Sequence, residues 1–373
     1  MLDLSAAFDT IDHSILLDRL RYTFGFDCTV LNWFKSYLTD RTQCVSVSNT
    51  LSSTQRLCFG VPQGSVLGPI LYTLYTTPLG SLIRNHDCIY HMYADDSQIY
   101  MSIEPSRIDE LVSNVEICIN SIREWMLINK LKLNDDKTEV LLLNPRSFEV
   151  PVQYTSIRIG EENIEFSESA KNLGVVINNT LSMHDNITNV CKSMYLEIRR
   201  MKHMSKYLNE NSLKTIASSF ILSRLDYCNS LYINIPNESI QKLQKAQNFA
   251  ARVIFNKPIH CHITPLLVQL HWLPVKARID YKLGVLTFKC MNNQAPIYLE
   301  KLVEKYTPTR SLRSSNTNLL CDKKYNYKSL GERSFAVGAP RLWNSLPVEL
   351  RMAETLQRFK ILLKTHMFRK FYT

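Results

Sequence analysis

Two adjacent carboxylates, Asp95 and Asp96, lie between two apolar, strand-like runs at 88–93 and 97–101. The pattern predicts a tight hairpin with the acids at its tip, because Asp bonds readily to nearby backbone in turns. A third acid, Asp3, lies in a short apolar run at 1–8 that predicts a buried strand. If these strands share one sheet, the three acids converge at its edge. Converging hard oxygens suit divalent cations. Two such ions roughly 3.5–4 Å apart stabilise both the attacking and the leaving oxygen in phosphoryl transfer. Mg²⁺ favours few, short carboxylate arms and keeps its other positions for water and phosphate. Spacing alone also fits a second reading, an Asp-Asp pair in a solvated turn.

The elements that must position these acids follow from periodicity. Apolar residues at helical spacing predict helices over 14–24 and 29–38, with Ser14 and Thr29 as N-caps. Residues 43–49 alternate as an exposed-face strand does. Gly60-Val61-Pro62-Gln63-Gly64-Ser65 is a Gly/Pro loop that opens a long apolar helix over 66–83. A helix over 107–127, a polar turn region at 129–137 and a strand at 138–143 come next. Then come a small hairpin around Gly160, spanning 152–159 and 164–166, and a short buried strand at 173–177. Strands mixed with helices in this way predict an α+β domain over 1–183. From His184 the character changes to helices over 187–208, 211–231, 239–255, 263–270 and 275–292, with Pro236, Pro258, Pro274 and Pro296 between or just before several of them. This defines a helical region over 184–307. The last segment, 308–373, is basic and aromatic and ends in an amphipathic basic helix over 355–372.

The chain has 373 residues, 45% hydrophobic and 21% charged, enough for two or three domains with real cores. No run of about 18 apolar residues exists, and the first residues lack a signal-peptide pattern. The expectation is a soluble intracellular protein, in the nucleus, the cytoplasm or both, with no membrane partner. Ten cysteines are scattered singly, without a Cys-x-x-Cys pair, and His260-Cys261-His262 has no second ligand cluster at zinc spacing. Free thiols in a reducing compartment are expected. Charge divides sharply. Residues 1–183 carry 14 basic and 22 acidic residues, net −8, and residues 184–373 carry 30 and 12, net +18. An acidic half suited to cations is joined to a basic half suited to polyanions.

Five stretches resemble the palm motifs of reverse transcriptases, in family order. They are Leu2-Asp3-Leu4-Ser5-Ala6-Ala7-Phe8-Asp9, Gly60-Val61-Pro62-Gln63-Gly64-Ser65-Val66-Leu67-Gly68-Pro69, Tyr93-Ala94-Asp95-Asp96, Leu133-Asn134-Asp135-Asp136-Lys137-Thr138-Glu139 and Asn172-Leu173-Gly174. The wording of the first two is similar to LINE-type (non-LTR) retrotransposons of the jockey-like branch. Residues 333–347 resemble the C-terminal segment of such reading frames. The resemblance implies an antiparallel palm followed by a helical thumb over 184–307 and a basic C-terminal segment. It implies RNA-directed DNA polymerisation with two Mg²⁺ ions, a deoxynucleoside triphosphate, an RNA template and a DNA primer. By position it makes Asp3 and Asp95 the metal ligands, with Asp96 supporting. Leu4 then offers a backbone carbonyl, Phe8 is the gate against a ribose 2′-hydroxyl, and Gln63 and Gly64 cradle the nucleotide. Lys137 protonates the leaving pyrophosphate, Tyr93 packs beneath the primer end, and Leu173 and Gly174 form the primer grip. Lys192, Arg199 and Arg200 are the thumb cations that hold phosphates.

Measured against that family, the chain begins at the first palm motif and lacks the fingers segment, so a truncated copy or an incomplete gene model, with impaired catalysis, is the expectation. A non-catalytic nucleic-acid-binding remnant is the rival from another class. An RNA-templated RNA polymerase is a second rival, which Phe8 disfavours. The sequence sets no oligomeric state.

Overall fold

The computed structural model describes residues 1–5, 7–102, 104–134, 137–144, 155–160, 162–307, 318–325 and 328–372, the side chains of 105, 328 and 329 excepted. Asp135 and Asp136 of the fourth motif, Ala6 of the first, the start of the 152–159 strand and residues 308–317 lie outside the described residues. The described residues fall into two compact units. One lies within Met1–Leu142 and Glu149–Leu173, the other within Leu143–Phe148 and Gly174–Thr373.

The first unit mixes helices with short antiparallel pairs. Its helices are α1 (His13–Tyr22), α2 (Cys28–Leu38), α3 (Gly68–Arg84) and α4 (Ile108–Ile128). Aspartates cap the first two. Asp12 Oδ1 accepts from the Ser14 and Ile15 amides at 2.8 and 3.1 Å, and Asp27 accepts from the Cys28 amide at 2.8 Å. Each helix therefore starts one residue before the expected Ser14 or Thr29, because Asp serves as well as Ser or Thr at that position.

Strands β1 (Leu4–Ser5), β6 (Ile89–Tyr93), β7 (Asp96–Tyr100) and β8 (Lys132–Leu133) carry the first and third motifs. Between them in the chain, β2 (Thr42–Gln43), β3 (Ser46–Val47), β4 (Thr50–Leu51) and β5 (Gln55–Arg56) form two exposed pairs. The expected 43–49 strand is thus broken. Ser48 and Asn49 both have left-handed backbones, φ 48° and 65°, so the chain reverses there. The expected strand at 138–143 is reduced to one bridge, Val140 with Phe166, because neighbouring groups turn elsewhere: the Glu139 amide bonds to the Met1 carbonyl at 3.0 Å. The pairing strand is instead β8, inside the expected turn region. Further on, β9 (Ser156–Ile159) and β10 (Glu162–Glu165) form the small hairpin, and β11 (Ser169–Asn172) ends the unit.

The core of this unit joins Leu2 and Leu4 to Leu16 and Leu20 of α1, Leu71, Tyr75 and Leu79 of α3, and Ile122 and Met126 of α4. Arg19 clamps the three helices. Its guanidinium lies 4.8 Å from the centre of the Tyr75 ring and 5.5 Å from that of Trp125, and Nη2 donates to Asn129 Oδ1 at 2.5 Å.

The second unit begins with β12 (Val175–Asn178) and is otherwise helical. Its elements are α5 (His184–Met204), α6 (Glu210–Ala217), α7 (Ser223–Asp226), α8 (Asn237–Ile254), α9 (Thr264–Gln269), α10 (Val275–Met291), α11 (Ile297–Glu300), α12 (Lys328–Gly331), α13 (Phe335–Ser345), α14 (Val348–Arg351) and α15 (Leu356–Tyr372). The expected helix over 211–231 runs through a π turn at Ser218–Leu222 and breaks at Cys228, whose φ is 51°. Met194, Ile198 and Met201 of α5 pack with Leu243, Ala246 and Ala250 of α8. Asn186 of α5 ties β12 to this core. Its Oδ1 accepts from the Val176 amide at 3.0 Å, and its Nδ2 donates to the Tyr232 hydroxyl at 2.7 Å. A second core stacks Phe288 of α10 on Phe359 of α15 at 4.6 Å, with Trp343 of α13 beside both.

Candidate active site

Strand register places the acids. Leu2 and Ser97 exchange backbone hydrogen bonds, 2.8 and 3.2 Å long, and Leu4 pairs with Leu133. Counting one residue along each strand sets Asp3 opposite Asp96 on one side and opposite Asn134 on the other. Side chains alternate between faces. Leu2, Ser97, Leu4 and Leu133 are buried, so Asp96, Asp3 and Asn134 form a row across the other face. Directly opposed residues in antiparallel strands lie about 4.5–5.5 Å apart at Cβ.

The hairpin differs from the expected one in a single respect. Tyr93 pairs with Asp96, so the turn is Ala94-Asp95 and only Asp95 is at the tip. Ala94 takes φ 54°, a left-handed conformation disfavoured by any Cβ. Such strain persists where the surroundings over-determine it, commonly at functional sites.

Asp3 is the best-held acid. Asn134 Nδ2 donates to its Oδ2 at 3.3 Å, and Lys137 Nζ lies 3.4 Å from the same oxygen. Partial desolvation, then the negative charges of Asp95 and Asp3, raise the Asp96 carboxyl above its ordinary value. The Tyr72 hydroxyl on α3 is pushed up strongly by burial, with Asp95 adding to the effect. Asp96 therefore feels the charge of both other acids. Their donors are all hard oxygens, the kind a divalent cation takes, and their repulsion is what such a cation relieves. Among the described residues no group of three or more His, Cys, Asp or Glu side chains is gathered closely enough to hold a metal ion. The acids fit such an ion in kind and charge, and Asp3 is meanwhile occupied by Lys137.

The glycine-rich loop is bound to the first motif. The Val61 amide donates to the Phe8 carbonyl at 2.9 Å, the Gly60 amide to the Ile11 carbonyl at 2.8 Å, and His13 Nε2 to the Gly60 carbonyl at 2.8 Å. Gly60 has φ 86°, and a Cβ there would stand 2.9 Å from the Asp9 carbonyl oxygen, so only glycine fits. Gln63 Nε2 reaches both Asp9 carboxylate oxygens at 3.2 Å. Gly64, with φ 77°, faces open space. Ser65 Oγ donates to the Pro62 carbonyl and accepts from the Gly68 amide, which fixes the start of α3. A cavity of about 690 Å³ lies behind the loop, lined by Asp9, His13, Tyr37, Arg41, Phe59 and Gln63 among others.

Other expected site residues have these places. Phe8 is half-buried and stacks on Tyr72, ring centres 4.8 Å apart. Leu4 is buried in the sheet. Tyr93 is exposed beside the turn. Leu173 and Gly174 make a turn with left-handed backbones, φ 44° and 82°. In the second unit, Lys192 is exposed on α5, and Arg199 lines a groove of about 660 Å³ together with Tyr195, Lys202, His203, Lys206 and Phe249. Arg200 points its charge elsewhere, to Glu197 at 3.1 Å, which also receives Arg224 at 3.1 Å.

Sequence reasoning gave no separate role to Asn134, Asp9, Tyr72 and His203, and counted Lys202 and Lys206 only among the basic residues of the thumb helices. A helical-spacing count would have found the α5 groove, since 195, 199, 202 and 206 recur at three and four residues. Nothing short of strand register would have found Asn134.

Residues 1–177 match the model of the family described as reverse transcriptase (RNA-dependent DNA polymerase). The match covers 177 of the 373 residues, and the family it describes is one of enzymes. The chain is also similar to proteins named as RNA-directed DNA polymerases of mobile elements and transposons. The RNA-directed DNA polymerase from mobile element jockey of Drosophila melanogaster is 26% identical over 266 residues, covering 69% of this chain and 28% of the relative. A second protein of that fly, named “probable RNA-directed DNA polymerase from transposon BS”, is 25% identical over 295 residues, covering 75% of this chain and 31% of the relative. The jockey polymerase of Drosophila funebris is 24% identical over 265 residues. The alignments thus span 28% and 31% of the first two relatives' own lengths. Among the described residues no helix is long and apolar enough to cross a membrane.

Proposed function

We propose that this chain carries the polymerising centre of an RNA-directed DNA polymerase. The first unit acts as palm, and the helices that open the second unit act as thumb. The supporting observation is the row Asp96, Asp3 and Asn134 across one exposed face, with Asp95 at the adjoining turn and Lys137 on Asp3. Asp3 and Asp95, assisted by Asp96 and the Leu4 carbonyl, would hold Mg²⁺. Two bound ions would neutralise charge on the attacking and leaving oxygens.

The chain's own residues supply the rest. Lys137, now paired with Asp3, is within reach of the same face and can give a proton to departing pyrophosphate. Gln63 and Gly64 offer an amide and an unobstructed backbone to the incoming deoxynucleotide and the templating base. Phe8, seated on Tyr72, has little freedom to move aside, which suits a gate against ribose. Tyr93 lies beside the primer end, and Leu173 and Gly174 hold the primer. Lys192 and Arg199 are the phosphate-binding cations, with Arg199 facing the groove, while Arg200 is held by Glu197.

Primer extension on an RNA template with Mg²⁺ tests the reading, with an Asp95→Ala control. Loss of a coordinating carboxylate should cost more than the roughly 10–100-fold seen for groups that merely support ligands. Equal incorporation by both proteins sinks the catalytic assignment. Salt-sensitive binding without any extension favours the binding remnant instead.

A further inference from the structure

Asp9, next to Phe8, has no part in the scheme above. Its main chain is closed in on both sides. The Val61 amide donates to the Phe8 carbonyl at 2.9 Å, the Gly60 amide donates to the Ile11 carbonyl at 2.8 Å, and Asp12 forms a bridge with Phe59. Gly60 lies so near that a Cβ on it would stand 3.0 Å from the Asp9 Cα. From this fixed base the Asp9 carboxylate takes the Gln63 amide, whose Nε2 is 3.2 Å from each oxygen. An ionised carboxylate only accepts hydrogen bonds, so it can hold only the NH₂ end of an amide. Gln63 Oε1 must therefore turn away from Asp9, and among the described residues no donor is bonded to it.

We infer that Asp9 is a positioning residue: by holding the amide nitrogen it presents Gln63 Oε1 to the ligand as a hydrogen-bond acceptor. That the ligand is a nucleotide rests on the polymerase reading. A carbonyl oxygen cannot pair with phosphate oxygens, which also accept. Gln63 therefore reads an O–H or N–H donor of the sugar or base, and not the triphosphate. Both side chains are exposed, so water can replace their bond and its loss barely touches folding. What Asp9 removes in advance is the rotamer freedom of Gln63. Ordering one such side chain on binding costs the equivalent of about 2–12-fold in affinity.

The test is steady-state primer extension by the full chain. Asp9→Ala should raise the KM for the deoxynucleotide about 2–12-fold, with kcat within about twofold. Its melting temperature should stay within about 2 °C of wild type. In a Gln63→Ala background the same change should move KM by less than about 1.5-fold, since the two residues act through one bond. Exchanging the ends of the pair reads the orientation. Gln63→Glu alone sets two carboxylates face to face. Combined with Asp9→Asn, the new amide donates to the new carboxylate, and an acceptor oxygen again faces the ligand at wild-type net charge. The combination should recover most of the KM lost by Gln63→Glu. Dideoxynucleotides lack the sugar 3′-hydroxyl: an Asp9→Ala effect that vanishes with them assigns the donor to the sugar, and one that persists assigns it to the base. An unchanged KM in Asp9→Ala, an equal rise without Gln63, or no recovery by the combination overturns the inference. The contact is also read without activity. In a chain carrying isotopically labelled glutamine, the Gln63 side-chain amide signal, identified by its loss in Gln63→Ala, should move in Asp9→Asn. A signal that stays in place overturns the inference. If it moves while the wild type extends no primer, the polymerase reading fails and the hold of Asp9 on Gln63 stands.

Discussion

At the scale of single residues, the row of acids is held at some cost to stability. Asp96 has a raised pKa because its carboxyl is partly desolvated and, after that, because Asp95 and Asp3 put negative charge beside it. A group whose pKa is higher folded than unfolded contributes stability below its ordinary value, and that contribution is lost as pH rises through the folded value. At neutral pH the Asp96 charge therefore opposes folding in the metal-free chain. Asp96→Asn should raise the melting temperature at pH 7 without added metal, and the gain should shrink as pH falls and the native carboxyl takes up its proton. A gain that grows toward low pH contradicts this account. The same carboxylates were visible in the sequence because Asp-Asp between apolar runs is a local pattern. What holds Asp3 was not visible. Asn134 and Lys137 reach it across 131 and 134 positions of chain, and only the Leu4–Leu133 register brings them there.

At the scale of elements, periodic helices were legible and short strands were not. Helices α3 and α4 lie within two residues of their expected ends, because long apolar stripes repeat many times. The β1–β8 pair is only two residues long, too short for any alternation to register, and β8 sits in a polar stretch, whereas the five-residue strands β6 and β7 were legible as a hairpin. The glycine loop was legible as a loop, but its anchoring to Phe8, Asp9 and Ile11 was not. That anchoring makes a sharp prediction about glycine. Gly60→Ala puts a methyl against the Asp9 backbone in a left-handed conformation, and should destabilise the first unit by about 1–3 kcal/mol. Gly64→Ala has similar backbone strain and no clash, so it should cost less, about 1–2 kcal/mol. Urea denaturation of both variants ranks them. A costlier Gly64→Ala would mean that the loop is not held on Asp9 as described.

At the scale of the whole molecule, charge separation follows the sequence: net −8 over 1–183 and +18 over 184–373. Where the positive charge acts is a matter of side-chain partners. Arg199, Lys202 and His203 of α5 and Lys206 just beyond it open onto one groove, while Arg200, next to Arg199, is committed to Glu197. Neighbours in sequence on a helix diverge by about 100°, so adjacent cations need not share a task. Each phosphate neutralised by a cation releases condensed counterions and adds about 0.9 to the slope of log K against log salt for duplex DNA. The variant with Arg199→Ala, Lys202→Ala and Lys206→Ala together should therefore flatten that slope by roughly 2–3 between 50 and 200 mM salt. Arg200→Ala should change it by well under one, since its charge is already partnered. Binding isotherms for a short duplex at four salt concentrations decide the matter. A slope unmoved by the triple change, or moved as far by Arg200→Ala alone, means that the polyanion lies on some other face of the basic unit.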